Sequence, residues 1–297
     1  MAIKKLGIIG ISEGNGHPYS WSAIINGYDK KKMQNCGFPV IPRYLAEHNV
    51  PSSEFKKIKV SSVYSQCLSK SVQIAETCKI SHISESLEEL NTASDAVLLA
   101  RDDAENHLIN AEIFLRDGKP IYIDKPIALN IKDLEKLYHL SCHDKQIFSC
   151  SALRFAQELY PTKYELSEIG NLEKIYAITP NSWEKYAVHV IDPLLHFLNF
   201  EEVKSTVSEK NQKGQHLLRV TWANGLISEI RNLGSEVDKI SLEYIGSKGS
   251  VKKLFSDPYR AFKKALLVFL NVNKDKSNNS NYEVSRQTVS LIEEGLK

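Results

Sequence analysis

Long apolar runs are missing from this chain of 297 residues, and no stretch approaches the ~18 apolar residues that a membrane-spanning helix requires. The run Ile8-Ile9-Gly10 near the start is too brief for the apolar core of a signal peptide. Cysteine is sparse: Cys36, Cys67, Cys78, Cys142 and Cys150 are an odd number at no metal-ligand spacing. They read as reduced thiols, so the expectation is a cytoplasmic protein with no metal site and no membrane association. Charge of one sign is lacking too. With 38 Lys and Arg against 36 Asp and Glu, the formal net charge is +2, which argues against a dedicated nucleic-acid surface. The short cluster Lys30-Lys31-Lys32 reads as a solvated loop. No H-E-x-x-H, paired C-x-x-C, Walker A or G-x-S-x-G motif occurs, so nothing supports metal, ATP or acyl-enzyme chemistry.

What is present belongs to an ordinary globular protein, 42% hydrophobic and 25% charged, long enough for two domains. The centre of the chain is residues 95–126. The apolar run Ala96 to Ala100 has the composition of a buried parallel strand. Arg101-Asp102-Asp103 then forms a polar turn, with Asp102 or Asp103 suited to cap the next helix. That helix places Leu108, Ala111, Ile113 and Leu115 near one face and ends at Gly118. A second strand, Pro120 to Ile123, delivers Asp124-Lys125-Pro126 at its carboxyl end. Open α/β sheets bind their ligands at the carboxyl ends of strands, which makes Lys125 the first candidate for chemistry.

Upstream, residues 3–10 read as the first strand, and Gly10-Ile11-Ser12-Glu13-Gly14-Asn15-Gly16-His17 is a glycine-rich turn before a helix from Pro18 to Asn26. Such a turn lets backbone approach a pyrophosphate, whose charge the helix N-terminus stabilises. The G-x-G-x-x-G spacing is irregular: Ser12 takes the second glycine position, and the third falls on Asn15 or, with one insertion, Gly16. An ordinary flexible loop is the competing reading. An insertion at about residues 28–56, rich in aromatic and proline residues, precedes the second strand, Lys57 to Tyr64, and reads as an ordered lid or wall with a helix from Pro42 to His48. After that strand, where NAD-specific domains place an acid for the ribose, stands Ser65-Gln66. This permits NADP, with Ser65 and Lys70 placed to receive a 2′-phosphate.

Helices and strands keep alternating to about residue 150, as in a parallel doubly wound sheet. Beyond it, a helix from Phe155 to Glu168 and a strand from Leu172 to Thr179 are followed by a helix from His189 to Asn199. Period-two runs come next, and Trp222-Ala223-Asn224-Gly225-Leu226 carries an Asn-Gly hairpin signal. Helices over Ala261–Leu270 and Tyr282–Gly295, joined by the polar loop NKDKSNNSN, close the chain. The fold class is α/β: an N-terminal Rossmann-like domain (1–150) and a C-terminal α+β domain (151–297) with an open, mostly antiparallel sheet.

The segment DAVLLA…His107…Ala111…GKPIYIDKP resembles the central signature of the Gfo/Idh/MocA oxidoreductases, in which Ala-Thr-Pro-Asn-x-x-His is followed by Gly-Lys-x-Val and Glu-Lys-Pro. Arg101-Asp102-Asp103 stands where Thr-Pro-Asn is usual, and Asp124 replaces the glutamate. The order of elements matches this family over essentially the whole chain. The resemblance implies a Rossmann domain binding NAD or NADP through Gly10, Ser12, Gly14, Asn15, Gly16, Ser65, Arg101, Asp102, His107, Asp124 and Lys125. It implies a second domain that holds substrate and assembles the protein as a homodimer or homotetramer, because relatives pair through the open sheet.

The resemblance also gives Lys125 a place near nicotinamide and substrate. Trp183 to Pro193 resembles the family's Asp-x-Gly-x-His-x-x-Asp segment, which makes His189 an acid/base. His189 and Asp192 lie three apart, on one helical face, so Asp192 either orients His189 or meets the substrate. Lys185 and Ala187 replace the family's Asp and Gly, and Tyr186 or Lys125 is then free to supply the missing role. His107 is near the cofactor in the family, but a capping or buried structural histidine fits equally. Arg154 either binds an anionic substrate group or locks the two domains. Tyr19, Trp21, Trp183 and Tyr186 offer aromatic faces to a sugar ring, although core packing is the competing reading for Trp21. The implied activity is hydride transfer between nicotinamide and a carbinol carbon of a sugar, polyol or nucleotide-linked sugar, the last pointing to surface-polysaccharide synthesis. An NAD-assisted hydrolase or lyase without net redox, and a non-enzymatic regulatory protein on a degenerate Rossmann scaffold, are the alternatives.

Overall fold

The computed structural model describes residues 3–271 and 281–297 and divides into two compact units. The first comprises Met1–Ala128, Lys132–Ser149 and Phe262–Glu283, the second Leu129–Ile131, Cys150–Ala261 and Val284–Lys297. Sequence alone assigns Phe262–Glu283 to the second domain, but Phe269 packs against Tyr122 and Phe148 of the first unit. The loop NKDKSNNSN lies largely outside the described residues.

The first unit runs β1 (Lys5–Gly10), α1 (His17–Asn26), α2 (Lys30–Gln34), α3 (Val40–Ala46), β2 (Lys59–Ser65), α4 (Leu68–Cys78), β3 (His82–Ile83), α5 (Leu87–Ala93), β4 (Ala96–Leu99), α6 (His107–Arg116), β5 (Ile121–Ile123), α7 (Ile131–His139) and β6 (Ile147–Phe148). Its strands form one parallel sheet in the order β3-β2-β1-β4-β5-β6. All residues of β4 and β5 are buried, which is why these strands read as continuous apolar runs rather than as alternating patterns. The order reverses at β1, whose neighbours are β2 and β4. A crevice therefore opens at the carboxyl end of β1.

Two local expectations change. Lys30-Lys31-Lys32 is not a loop: it opens α2, capped by the Asp29 carboxylate, which accepts a hydrogen bond from Lys32 N. Neither Asp102 nor Asp103 caps α6, because both carboxylates are held by side chains elsewhere. The insertion is ordered: Met33, Ile41, Tyr44 and Leu45 are buried, and Tyr44 Oη donates to Ser20 Oγ of α1.

The second unit contains α8 (Lys163–Ile169), β7 (Leu172–Thr179), α9 (Trp183–Tyr186), α10 (Val188–Phe197), β8 (Val203–Lys210), β9 (His216–Trp222), β10 (Ile227–Asn232), β11 (Ser241–Gly246), β12 (Gly249–Leu254), α11 (Pro258–Asn271, shared with the first unit) and α12 (Asn281–Glu294). The helix expected over Phe155–Glu168 is broken into two short 3₁₀ turns before Pro161, and α8 starts anew at a Thr162–Glu165 capping box. The sheet, β12-β11-β7-β10-β9-β8, is mixed, with β7 and β10 its parallel pair. Asn224-Gly225 makes the β9–β10 hairpin with Gly225 at φ +88. On one face Ile175, Ala177, Leu218, Val220, Trp222 and Ile230 are buried. The alternating side chains face the other way.

Candidate active site

Gly10 ends β1, and a Cβ there would stand 2.6 Å from Pro18 Cγ, so glycine is what allows α1 to close on the strand. Gly14 sits at φ +78 with nothing within 4 Å of its Cβ position, which leaves the turn backbone facing open space. Gly16 begins α1 under Phe38 and Ile41 of the insertion, which would stand 2.8 and 2.6 Å from an added Cβ. The insertion is thus a wall packed on the glycine turn.

Two carboxylates tie this turn to the neighbouring strand ends. Asp102, after β4, accepts from Ser12 Oγ at 2.7 Å, and its own N–H donates to the same hydroxyl oxygen at 3.1 Å. Its other oxygen lies 3.7 Å from Lys125 Nζ. Asp124, after β5, accepts from Asn15 Nδ2 at 2.9 Å and pairs with His17 Nδ1 at 2.5 Å, while its second oxygen takes the N–H of Lys125 at 2.7 Å. Burial pushes the Asp124 carboxyl up, but His17, Lys125 and Asn15 outweigh it and hold the group below the usual carboxylate range. Lys125 is only 6% exposed. Its ammonium faces Asp102.

Other expected cofactor residues already have partners within the protein. His107 is fully buried, Nδ1 at 3.0 Å from Ile127 O and Nε2 at 2.8 Å from Arg101 O. Both ring nitrogens are used, so it is a structural brace between the β4 and β5 ends rather than a cofactor contact. Ser65 bonds Cys67 O and Ser71 Oγ, both at 2.8 Å, and is not free to meet a 2′-phosphate. Arg101 pairs with Asp103 and donates to Gln66 Oε1 at 2.8 Å.

The aromatic candidates are mostly core. Trp21 is sandwiched between His17 and Tyr122, ring centroids 5.1 and 4.6 Å apart, and Tyr19 is fully buried with its hydroxyl enclosed. Trp183 is buried in the second unit, its indole N–H donating to Ile292 O at 2.9 Å. These three are packing residues, not a sugar platform. In each case the apolar area of an indole or phenol ring decided for burial.

In the second unit, α10 presents His189 and Asp192 to the segment after β6. His189 Nδ1 lies 2.9 Å from Ser151 Oγ, and Tyr186 meets the imidazole edge-on at 5.4 Å. Asp192 does not bond His189. It is wholly buried, accepting from Ser151 N at 2.6 Å and from Arg154 Nε at 2.7 Å. Arg154 is accordingly committed to Asp192 within this unit. Burial raises the Asp192 carboxyl above its ordinary range, with Arg154 and the Ser151 N–H pulling the other way. Sequence reading missed Ser151, the residue that actually meets His189. Its only signal was its place at the end of the last Rossmann strand.

A glycine turn at the switch point of a parallel sheet, with an enclosed lysine beside it, defines a dinucleotide-dependent oxidoreductase class of site. Residues 38–151 match the Gfo/Idh/MocA model, described as an oxidoreductase family with NAD-binding Rossmann fold. Over those residues the chain is similar to that family. No curated protein matches the chain by sequence. In fold it is similar to a putative myo-inositol dehydrogenase from Sinorhizobium meliloti (14% identity, TM-score 0.72, covering 99% of this chain and 96% of that one). It is also similar to a myo-inositol dehydrogenase from Corynebacterium glutamicum (16%, 0.69, 99% and 96%). A third is scyllo-inositol dehydrogenase from Lactobacillus casei, solved with NAD(H) and scyllo-inositol bound (14%, 0.67, 99% and 96%).

The residues present fit a nicotinamide dinucleotide: open backbone at Gly14, a helix N-terminus at Gly16, and the cations Lys125 and Arg101 at the strand ends. At the adenosine end, Ser65-Gln66 supplies no carboxylate for the ribose.

Proposed function

We propose that this protein oxidises or reduces a secondary hydroxyl of a cyclic polyol, sugar or nucleotide-linked sugar, with the nicotinamide accepting or supplying the hydride. The observation that carries this reading is Lys125, an enclosed ammonium at the carboxyl end of β5 within reach of Asp102, itself tied to the glycine turn through Ser12. Lys125 holds the substrate hydroxyl oxygen and passes its proton; Asp102 keeps the ammonium in place. In the second unit we assign His189 an acid/base role, with Ser151 orienting its ring and Tyr186 beside it as a substrate contact. Asp192 and Arg154 position Ser151 and do not touch the substrate. The missing ribose acid favours NADP or tolerance of both cofactors. Inositols head the substrate screen, because proteins of this fold act on them.

The open face of the second sheet supports assembly as a homodimer or homotetramer. It carries Val207, 51% exposed, Leu254, and Glu229, whose carboxylate is ringed by Arg219, Arg231 and Lys174. The five cysteines form no disulfide and three of them are buried, which suits a reducing, cytoplasmic setting. The test is a screen of inositols and activated sugars by nicotinamide absorbance. Lys125→Ala is expected to lower kcat by ~10²–10⁴-fold. Turnover that survives in Lys125→Ala would remove the assignment.

A further inference from the structure

One set of hydrogen bonds in the first unit plays no part in the chemistry assigned above. Gln66 follows β2, Ile11 follows β1 and Arg101 lies just beyond β4, and these strands are neighbours in the order β2-β1-β4. Gln66 Nε2 donates to Ile11 O at 2.7 Å, and Gln66 Oε1 accepts from Ile11 N at 3.3 Å. The same Oε1 accepts from Arg101 Nη1 at 2.8 Å, and the rest of the guanidinium rests on Asp103. A chain of side-chain bonds therefore runs from β2 to β4 over the carboxyl end of β1. That is the switch point, where a ligand of such a sheet must lie. The bridge is exposed at Gln66 and anchored at a buried arginine.

We propose that Gln66 and Arg101 form a latch across the dinucleotide crevice, and that the cofactor opens it by drawing the Arg101 guanidinium from Gln66 and Asp103 onto one of its phosphates. The inference rests on the cofactor reading given above. A phosphate replaces the neutral Gln66 amide with a charged oxygen and matches the Asp103 carboxylate as a partner for the guanidinium fork, so the exchange favours the bound state once a phosphate arrives. Before that, the closed latch taxes binding by the fraction of time it is open. Gln66 and Arg101 consequently act in opposite directions: Gln66 holds the crevice shut, and Arg101 binds the ligand that opens it.

Isothermal titration of the full chain with NAD⁺, NADH, NADP⁺ and NADPH tests this on wild type, Gln66→Ala and Arg101→Met. Gln66→Ala is expected to tighten binding by ~3–10-fold, and Arg101→Met to weaken it by ~10-fold or more. A loss confined to NADP⁺ and NADPH places the guanidinium on the 2′-phosphate, and an equal loss for all four places it on the pyrophosphate. Unchanged or weaker binding by Gln66→Ala, or unchanged binding by Arg101→Met, overturns the latch. If Arg101→Met fails to fold, Arg101→Lys, which keeps the charge but not the fork, is expected to show the same loss in smaller measure. Wild type that binds none of the four defeats the cofactor reading itself, a result distinct from any of these.

Discussion

Asp124 is buried beneath the turn it holds, and its carboxylate is the acceptor that Asn15, His17 and the Lys125 N–H share. A carboxyl whose folded-state value is depressed stabilises the fold fully above the ordinary range, and that stability is lost as pH falls through the folded value. Wild type should therefore exceed Asp124→Asn in stability at about pH 5. The margin should shrink below about pH 4, as urea unfolding across pH will show. A margin that grew on acidification would contradict the assignment. Trp21 gives a second prediction at this scale. Sandwiched between His17 and Tyr122, it contributes packing rather than recognition, so Trp21→Ala should cost ~3–5 kcal/mol in unfolding free energy. If the variant instead kept its stability and lost only substrate affinity, Trp21 would return to the substrate site.

Among the elements, the inserted α2 and α3 are part of the core of the first unit. Asp29 caps α2, Met33 is its buried residue, and Tyr44 of α3 donates into Ser20 of α1. Ile41 and Phe38 occupy the space that Gly16 leaves, so the wall and the glycine turn are built together. Met33→Ala should then lower global stability by ~2–5 kcal/mol in a single cooperative transition. A mobile lid would behave otherwise, with unchanged unfolding and altered KM. Aromatic and proline content announced an ordered segment. It did not announce the first helix, because three successive lysines look like a loop unless the Asp29 cap before them is weighed.

For the molecule as a whole, the two sheets solve different problems. The first is parallel and buried. The second is mixed and leaves one face outward, which carries Val207, Leu254 and a carboxylate encircled by cations. A second copy bringing the same patch about a two-fold axis would cover it. Light scattering is expected to find a dimer or tetramer that Val207→Asp shifts toward monomer; a wild-type monomer would remove that assembly.

Sequence by itself determined most elements and their order. A continuous apolar run marks a parallel strand, period two marks a half-covered one, and Asn-Gly closes a hairpin, because each signal lies within a few residues. It also brought Lys125 to a strand end beside a glycine turn. Only the tertiary structure decided what each polar or aromatic side chain would face. Asn15 meets Asp124 across 109 residues, Ser151 meets His189 across 38, and Trp183 meets Ile292 across 109. No local pattern encodes such pairs. They arise when the packed elements bring buried donors to acceptors that cannot be left unsatisfied, which is why His107 became a brace and Arg154 the counter-ion of Asp192 rather than ligands.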